Sequence, residues 1–106
     1  MSAYIDDIKS LMKIINDVRS STPIESNLAL RVGVNIELSA QAISCVGEKD
    51  FRDYLYDKGQ EIIQEVGDDE FYPINPAPNY ELIKQIMDEV YERLEFELTS
   101  GSPVIA

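Results

Sequence analysis

Leu28-Ala29-Leu30-Arg31-Val32-Gly33-Val34-Asn35-Ile36-Glu37-Leu38 is the stretch on which the fold turns. Leu28, Leu30, Val32, Val34, Ile36 and Leu38 take every second position, the period of a half-buried strand. No other segment of the chain makes a convincing strand. A strand without a mate leaves its amides and carbonyls unbonded unless another protomer supplies one. The helical reading is therefore preferred, with a strand at 28–38 pairing across a dimer, in an α+β fold, as the alternative.

Read as a helix, the segment shows two apolar stripes. Leu28, Val32, Ile36, Ala40, Ile43 and Val46 form one. Leu30, Val34, Leu38, Ala42 and Cys45 form the other, with Arg31, Asn35, Glu37 and Gln41 between them. Two stripes suit a helix that is central in its own fold, or one that turns a face to another molecule. The central position is the first expectation, and a homodimer interface through Leu30, Val34 and Leu38 the second.

On the N-terminal side, Ile5, Ile8, Met12 and Ile15, with Tyr4, Leu11 and Val18 alongside, recur at three- and four-residue steps. They predict a helix over about 3–20, with Ser2 as its cap. Thr22-Pro23-Ile24-Glu25 combines a capping Thr, a Pro at the first helical position and a Glu three residues after the cap, so the second helix is expected over 23–46. Gly47 can close it. A third helix over 48–66 buries Phe51, Leu55, Ile62 and Val66. It contains Gly59, which costs about 1 kcal/mol against Ala unless the missing side chain lets another helix come close. Pro73, Pro76 and Pro78 keep the next connection extended. Asn79 then caps a fourth helix over 80–99 whose Ile83, Ile86, Met87, Val90, Leu94 and Leu98 face inward. The expectation is an all-α, antiparallel bundle of four helices, one acidic domain over 1–106 with a frayed tail from about residue 100.

Composition narrows the chemistry. Twenty acids face nine Lys and Arg, a net charge of −11, which disfavours nucleic acid and anionic membranes and favours a basic partner. The absence of His removes imidazole-based nucleophile systems and metal ligands, and the lone Cys45 removes thiolate zinc sites. A single Cys, with no N-terminal leader pattern, points to the cytoplasm. No apolar run approaches the ~20 residues that span a bilayer. No cofactor is expected.

The carboxylates are patterned. Asp50, Asp53, Asp57, Glu61 and Glu65 fall at three- and four-residue steps along the third helix, and Glu81, Asp88, Glu92 and Glu95, with Glu89 adjoining, lie on one side of the fourth. Like charges four residues apart destabilise a helix by roughly 0.2–0.5 kcal/mol per pair, so two such ridges exceed what solubility needs. Tyr54 and Phe96 fall inside the acidic sectors of the helical wheel, where an aromatic has no core to join and can anchor an interface. Asp68-Asp69-Glu70-Phe71-Tyr72-Pro73 sets three acids before two aromatics on a proline-stiffened connection.

That last segment, from Glu70 to Pro73 with its acidic lead-in, resembles the acidic stretch ending in Tyr-Tyr-Pro of the colicin DNase immunity proteins, small acidic helical inhibitors. The resemblance implies a binding role and covers no other part of the chain. Glu92-x-x-Glu95 and Asp50-x-x-Asp53 are similar to the paired motifs through which all-helical nucleotide pyrophosphohydrolases hold magnesium. No Lys, Arg or Gly-rich loop placed to hold a phosphate accompanies them. The sequence thus points to a non-enzymatic acidic protein that occupies a basic protein surface as an inhibitor, an immunity or antitoxin-like factor, or a nucleic-acid mimic. A self-associating adaptor is the second reading and a carboxylate-metal nucleotide hydrolase the third.

Overall fold

The computed structural model describes residues 2–21, 23–43, 49–66 and 77–100. It contains four helices, α1 (Ser2–Arg19), α2 (Ser26–Ile43), α3 (Lys49–Val66) and α4 (Tyr80–Ser100), and no strand among the described residues. The segment 28–38 is helical throughout. In chain order the helices form a ring, α2 against α1 and α3, and α4 against α1 and α3. Contacts run in opposite directions along α2 and α3, as in Gly33 near Ile63 and Glu37 near Gly59, and along α3 and α4, as in Lys58 at Glu89 and Phe51 at Arg93. The architecture is the expected antiparallel four-helix bundle.

Its core comprises Ile8, Leu11, Ile15 and Val18 of α1, Ala29, Val32, Ile36 and Ala40 of α2, Phe51, Leu55 and Ile62 of α3, and Ile83, Ile86, Met87, Val90 and Leu94 of α4. Each set recurs at steps of three, four or seven, with Ile86 beside Met87 widening the face of α4, which keeps one helix face inward. In α2 the inward face is Ala29, Val32, Gly33, Ile36 and Ala40, not both apolar stripes. Each helix of the ring touches two neighbours and keeps an outer face, and in α2 that face is the second stripe. Val34 is 45% exposed and Leu38 55%, with Leu30 half-buried. The expectation that α2 buries both stripes is therefore overturned.

The closest helix pair is α2 with α3, and glycine explains it. A Cβ added at Gly59 would lie 2.9 Å from the Gly33 carbonyl oxygen and 2.8 Å from Cγ of Glu37. One added at Gly33 would lie 3.1 Å from the Gly59 carbonyl oxygen and 2.8 Å from Cγ1 of Ile63. The two backbones meet where neither has a side chain, so the conformational cost of Gly59 is offset by packing. Beside the crossing, the Gln60 amide donates to the Glu37 carboxylate.

The helix ends depart from the expectation in two places. α2 begins at Ser26 and not at Pro23. Ile24 is fully buried and non-helical, and its carbonyl accepts the Ala77 amide at 2.9 Å, so it is withheld from a helix. The first helical turn closes instead from the Ala29 amide to the Glu25 carbonyl at 3.0 Å. Ile24 and Ala77, both fully buried, plug the end of the bundle where α1 and α3 finish and α2 and α4 start. α1 already includes Ser2, which is therefore not its cap. At its other end Ser20 Oγ donates to the Asn16 carbonyl at 2.7 Å, which also accepts the Ser20 amide, and Ser21 Oγ donates to the Asp17 carbonyl at 3.3 Å. α4 starts directly after Asn79, as expected, but the Asn79 amide nitrogen donates across to Glu65 at 2.9 Å. Thr22, Cys45, Val46, Gly47, the Asp68-to-Pro73 segment and the tail from 101 lie outside the described residues.

Candidate protein-binding face

Charge is distributed unevenly over the ring. α1 carries three acids and three bases and α2 one of each, whereas α3 carries five acids against three bases and α4 six against two. The helical part of the charge surplus is thus confined to the adjacent pair α3 and α4.

Two cations of that pair, Lys58 and Arg93, are turned onto the bundle's own groups. Lys58, with its side chain 19% exposed, reaches Glu89 of α4 at 2.8 Å and Glu61 at 3.5 Å. The hydrogen bond to Glu89 raises the Lys58 pKa, with burial opposing and the charges of Glu61 and Glu89 assisting. Arg93 bonds Glu97 at 3.0 Å and lies 5.1 Å from the Phe51 ring centroid and 5.0 Å from that of Tyr54. Arg52 pairs with its neighbour Asp53 at 2.9 Å.

What remains facing outward is carboxylate. Asp50 and Asp57 on α3, and Glu92 and Glu95 on α4, are exposed and form no ion pair among the described residues. Phe96, 58% exposed, lies one helical turn beyond Glu92 and has no core to join, as expected.

The expectation that Tyr54 has no core to join is overturned. It is half-buried against the core, with Arg93 and Lys58 over its ring at 5.0 and 5.7 Å. Burial raises its phenol pKa, and Glu89 adds to the rise while Lys58 and Arg93 oppose it. The helical wheel misplaces it because it treats α3 as solitary, whereas α4 covers that sector.

The two ridges do not merge into one surface. Lys58 brings Glu61 and Glu89 together across the α3–α4 seam. Asp88 turns the other way, toward α1, where it takes Arg19 at 3.2 Å and Lys84 at 3.4 Å. Glu95, seven residues on, follows the same line of α4. Glu65 is occupied by Asn79 at the bundle end. Asp68, Asp69, Glu70, Phe71 and Tyr72 lie outside the described residues. The Arg19 clamp, which also stacks on Tyr91 at 3.8 Å, escapes sequence reading because its partners are some 70 residues distant.

Asp50-x-x-Asp53 stands at the start of α3 and Glu92-x-x-Glu95 in the second half of α4. Among the described residues no three acidic or thiol side chains converge where a metal ion could be held. No helix among them is long and apolar enough to cross a membrane. The chain matches no family model, no curated protein and no solved structure.

Proposed function

We propose that the protein is an acidic, non-enzymatic binding module whose α3–α4 face occupies a basic surface of a protein partner, as an inhibitor, an immunity or antitoxin-like factor, or a nucleic-acid mimic acting in the cytoplasm. The observation that carries this reading is the internal use of the face's cations. Lys58 and Arg93 serve the seam and the aromatic rings beneath it, which leaves Asp50 and Asp57 of α3 and Glu92 of α4 to solvent, with Phe96 exposed one turn beyond Glu92. An outward carboxylate array attracts a basic surface over the Debye length, about 8 Å near physiological salt, and an aromatic at its margin adds apolar contact at close range.

Capture experiments from host extract test it. Tagged wild-type protein should retain a basic partner at low ionic strength and lose it steeply as salt rises. Asp57→Asn with Glu92→Gln should weaken retention by slowing association, and Phe96→Ala by hastening release. Retention indifferent to salt and to all three substitutions would remove the electrostatic reading.

A further inference from the structure

The outer face of α2 is the apolar counterpart of the acidic face. Val34 and Leu38 are exposed, Leu30 is half-buried and Ala42 is exposed, all at four-residue spacing. The charges of the helix are one Arg31 and one Glu37. We propose that this face pairs with the same face of a second copy, making the protein a weak, two-fold symmetric dimer in addition to its acidic binding role.

The choice of a second copy follows from where the charge lies. Two molecules of net charge −11 repel, and the repulsion is smallest when their acidic helices are held apart. The ring order places α4, the most acidic helix, diagonally across the bundle from α2. α1, which flanks α2 on one side, is balanced with three acids and three bases. α3, on the other side, carries five acids against three bases, so pairing through α2 brings together the least charged helices, α1 and α2, and sends both α4 helices to the far ends of the dimer. A basic partner finds no charge complement on α2 and finds one on α3 and α4. An acidic partner or an anionic bilayer is repelled by the whole molecule. A two-fold interface also requires a face complementary to itself, and an uncharged apolar stripe, flanked by Arg31 on the α1 side and by Glu37 at the α3 crossing, meets that requirement.

The dimer is weak because the face is small. An 18-residue helix is about 27 Å long by its rise per residue, and its outer side offers less than the roughly 800 Å² per partner of a standard stable interface. Salt separates this contact from the acidic one. Screening relieves like-charge repulsion, so self-association strengthens with salt while binding to a basic surface weakens.

Sedimentation equilibrium of the full chain, from about 10 μM to about 1 mM protein, spans weak association. It should be run at ~0.05 M and ~1 M salt, where screening differs most. The expected result is a monomer–dimer equilibrium whose constant rises with salt. Leu38→Glu and, separately, Val34→Asn should lower it at least about tenfold, a change of about 1.4 kcal/mol. Both positions are solvent-exposed, so circular dichroism melts should match the wild type, and capture of a basic partner should be unaffected. A protein that is monomeric at every concentration and salt overturns the proposal. So does association that weakens with salt, or that survives both substitutions. If the wild type remains monomeric while Leu38→Glu abolishes capture of an uncharged partner, the face serves another protein and the dimer is excluded.

Discussion

Helix α3 is bounded by two neighbours in two different ways. Against α2 it presents Gly59, and the two backbones touch with no side chain between them. Against α4, the least closely packed of the neighbouring pairs, it presents Lys58 and Tyr54, and contact is made by long polar and aromatic side chains. The first interface is held by shape and has no slack. The second is held by adjustable ends of flexible groups, and it borders the face where carboxylates remain free for a partner. A bundle that is tight on one side of a helix and loose on the other can alter its recognition surface without disturbing its core.

The largest effects should come from the tight side. Ile62→Ala on α3 empties a fully buried site and should cost about 2–5 kcal/mol in urea unfolding. Gly59→Ala comes next. The added methyl would gain about 1 kcal/mol of helix propensity, yet the Gly33 carbonyl only 2.9 Å away is backbone and cannot step aside. A net loss of about 1–3 kcal/mol is expected, the range of overpacked cores. Gly33→Ala should be milder, because its nearest obstacle is the Ile63 side chain. If Gly59→Ala were neutral or stabilising, the close crossing would not be the reason for the glycine.

The loose side should yield smaller changes. Lys58→Met removes the bridge to Glu89 but keeps the aliphatic stem, and should cost about 1 kcal/mol or less, as for partly exposed ion pairs. The same pair predicts a pH dependence. Lys58 and Tyr54 both have raised pKa values in the fold, so the folded state holds these protons more tightly than the unfolded chain. Their contribution is therefore complete below the ordinary values near ~10 and is lost as pH climbs through the folded values. Melting temperatures should fall on the alkaline side of that point, and Lys58→Met should flatten part of the slope. The smallest effect is expected for Asp57→Asn, within about 0.5 kcal/mol of wild-type stability, although it lies on the proposed binding face.

Much of the fold was legible in the sequence. The apolar periods of α1, α3 and α4 marked their buried faces almost residue for residue, because an amphipathic helix records in its spacing which side faces the core. Gly59 was legible as a question, and only the position of Gly33 on α2 answered it. The second apolar stripe of α2 was visible too, but no count of apolar residues says whether a neighbour covers them. Of the candidate binding residues, Phe96, Asp57 and Glu92 are where the periodicity placed them. Tyr54 is not, since the helix that covers it lies some 30 to 40 residues away in the chain.

The sequence by itself determined three amphipathic helices, an acidic surface and the absence of histidine chemistry, because periodicity, charge and composition are local or additive properties, whereas the alternating segment 28–38 became a helix only in the structure. Only the tertiary structure decided which carboxylates keep solvent as their neighbour. Lys58 was assigned to Glu89, Arg19 to Asp88 and Arg93 to the Phe51 and Tyr54 rings by the ring order and antiparallel register of the helices. That register follows from which helices can approach most closely, and the approach of α2 to α3 depends on two glycines 26 positions apart meeting at one crossing.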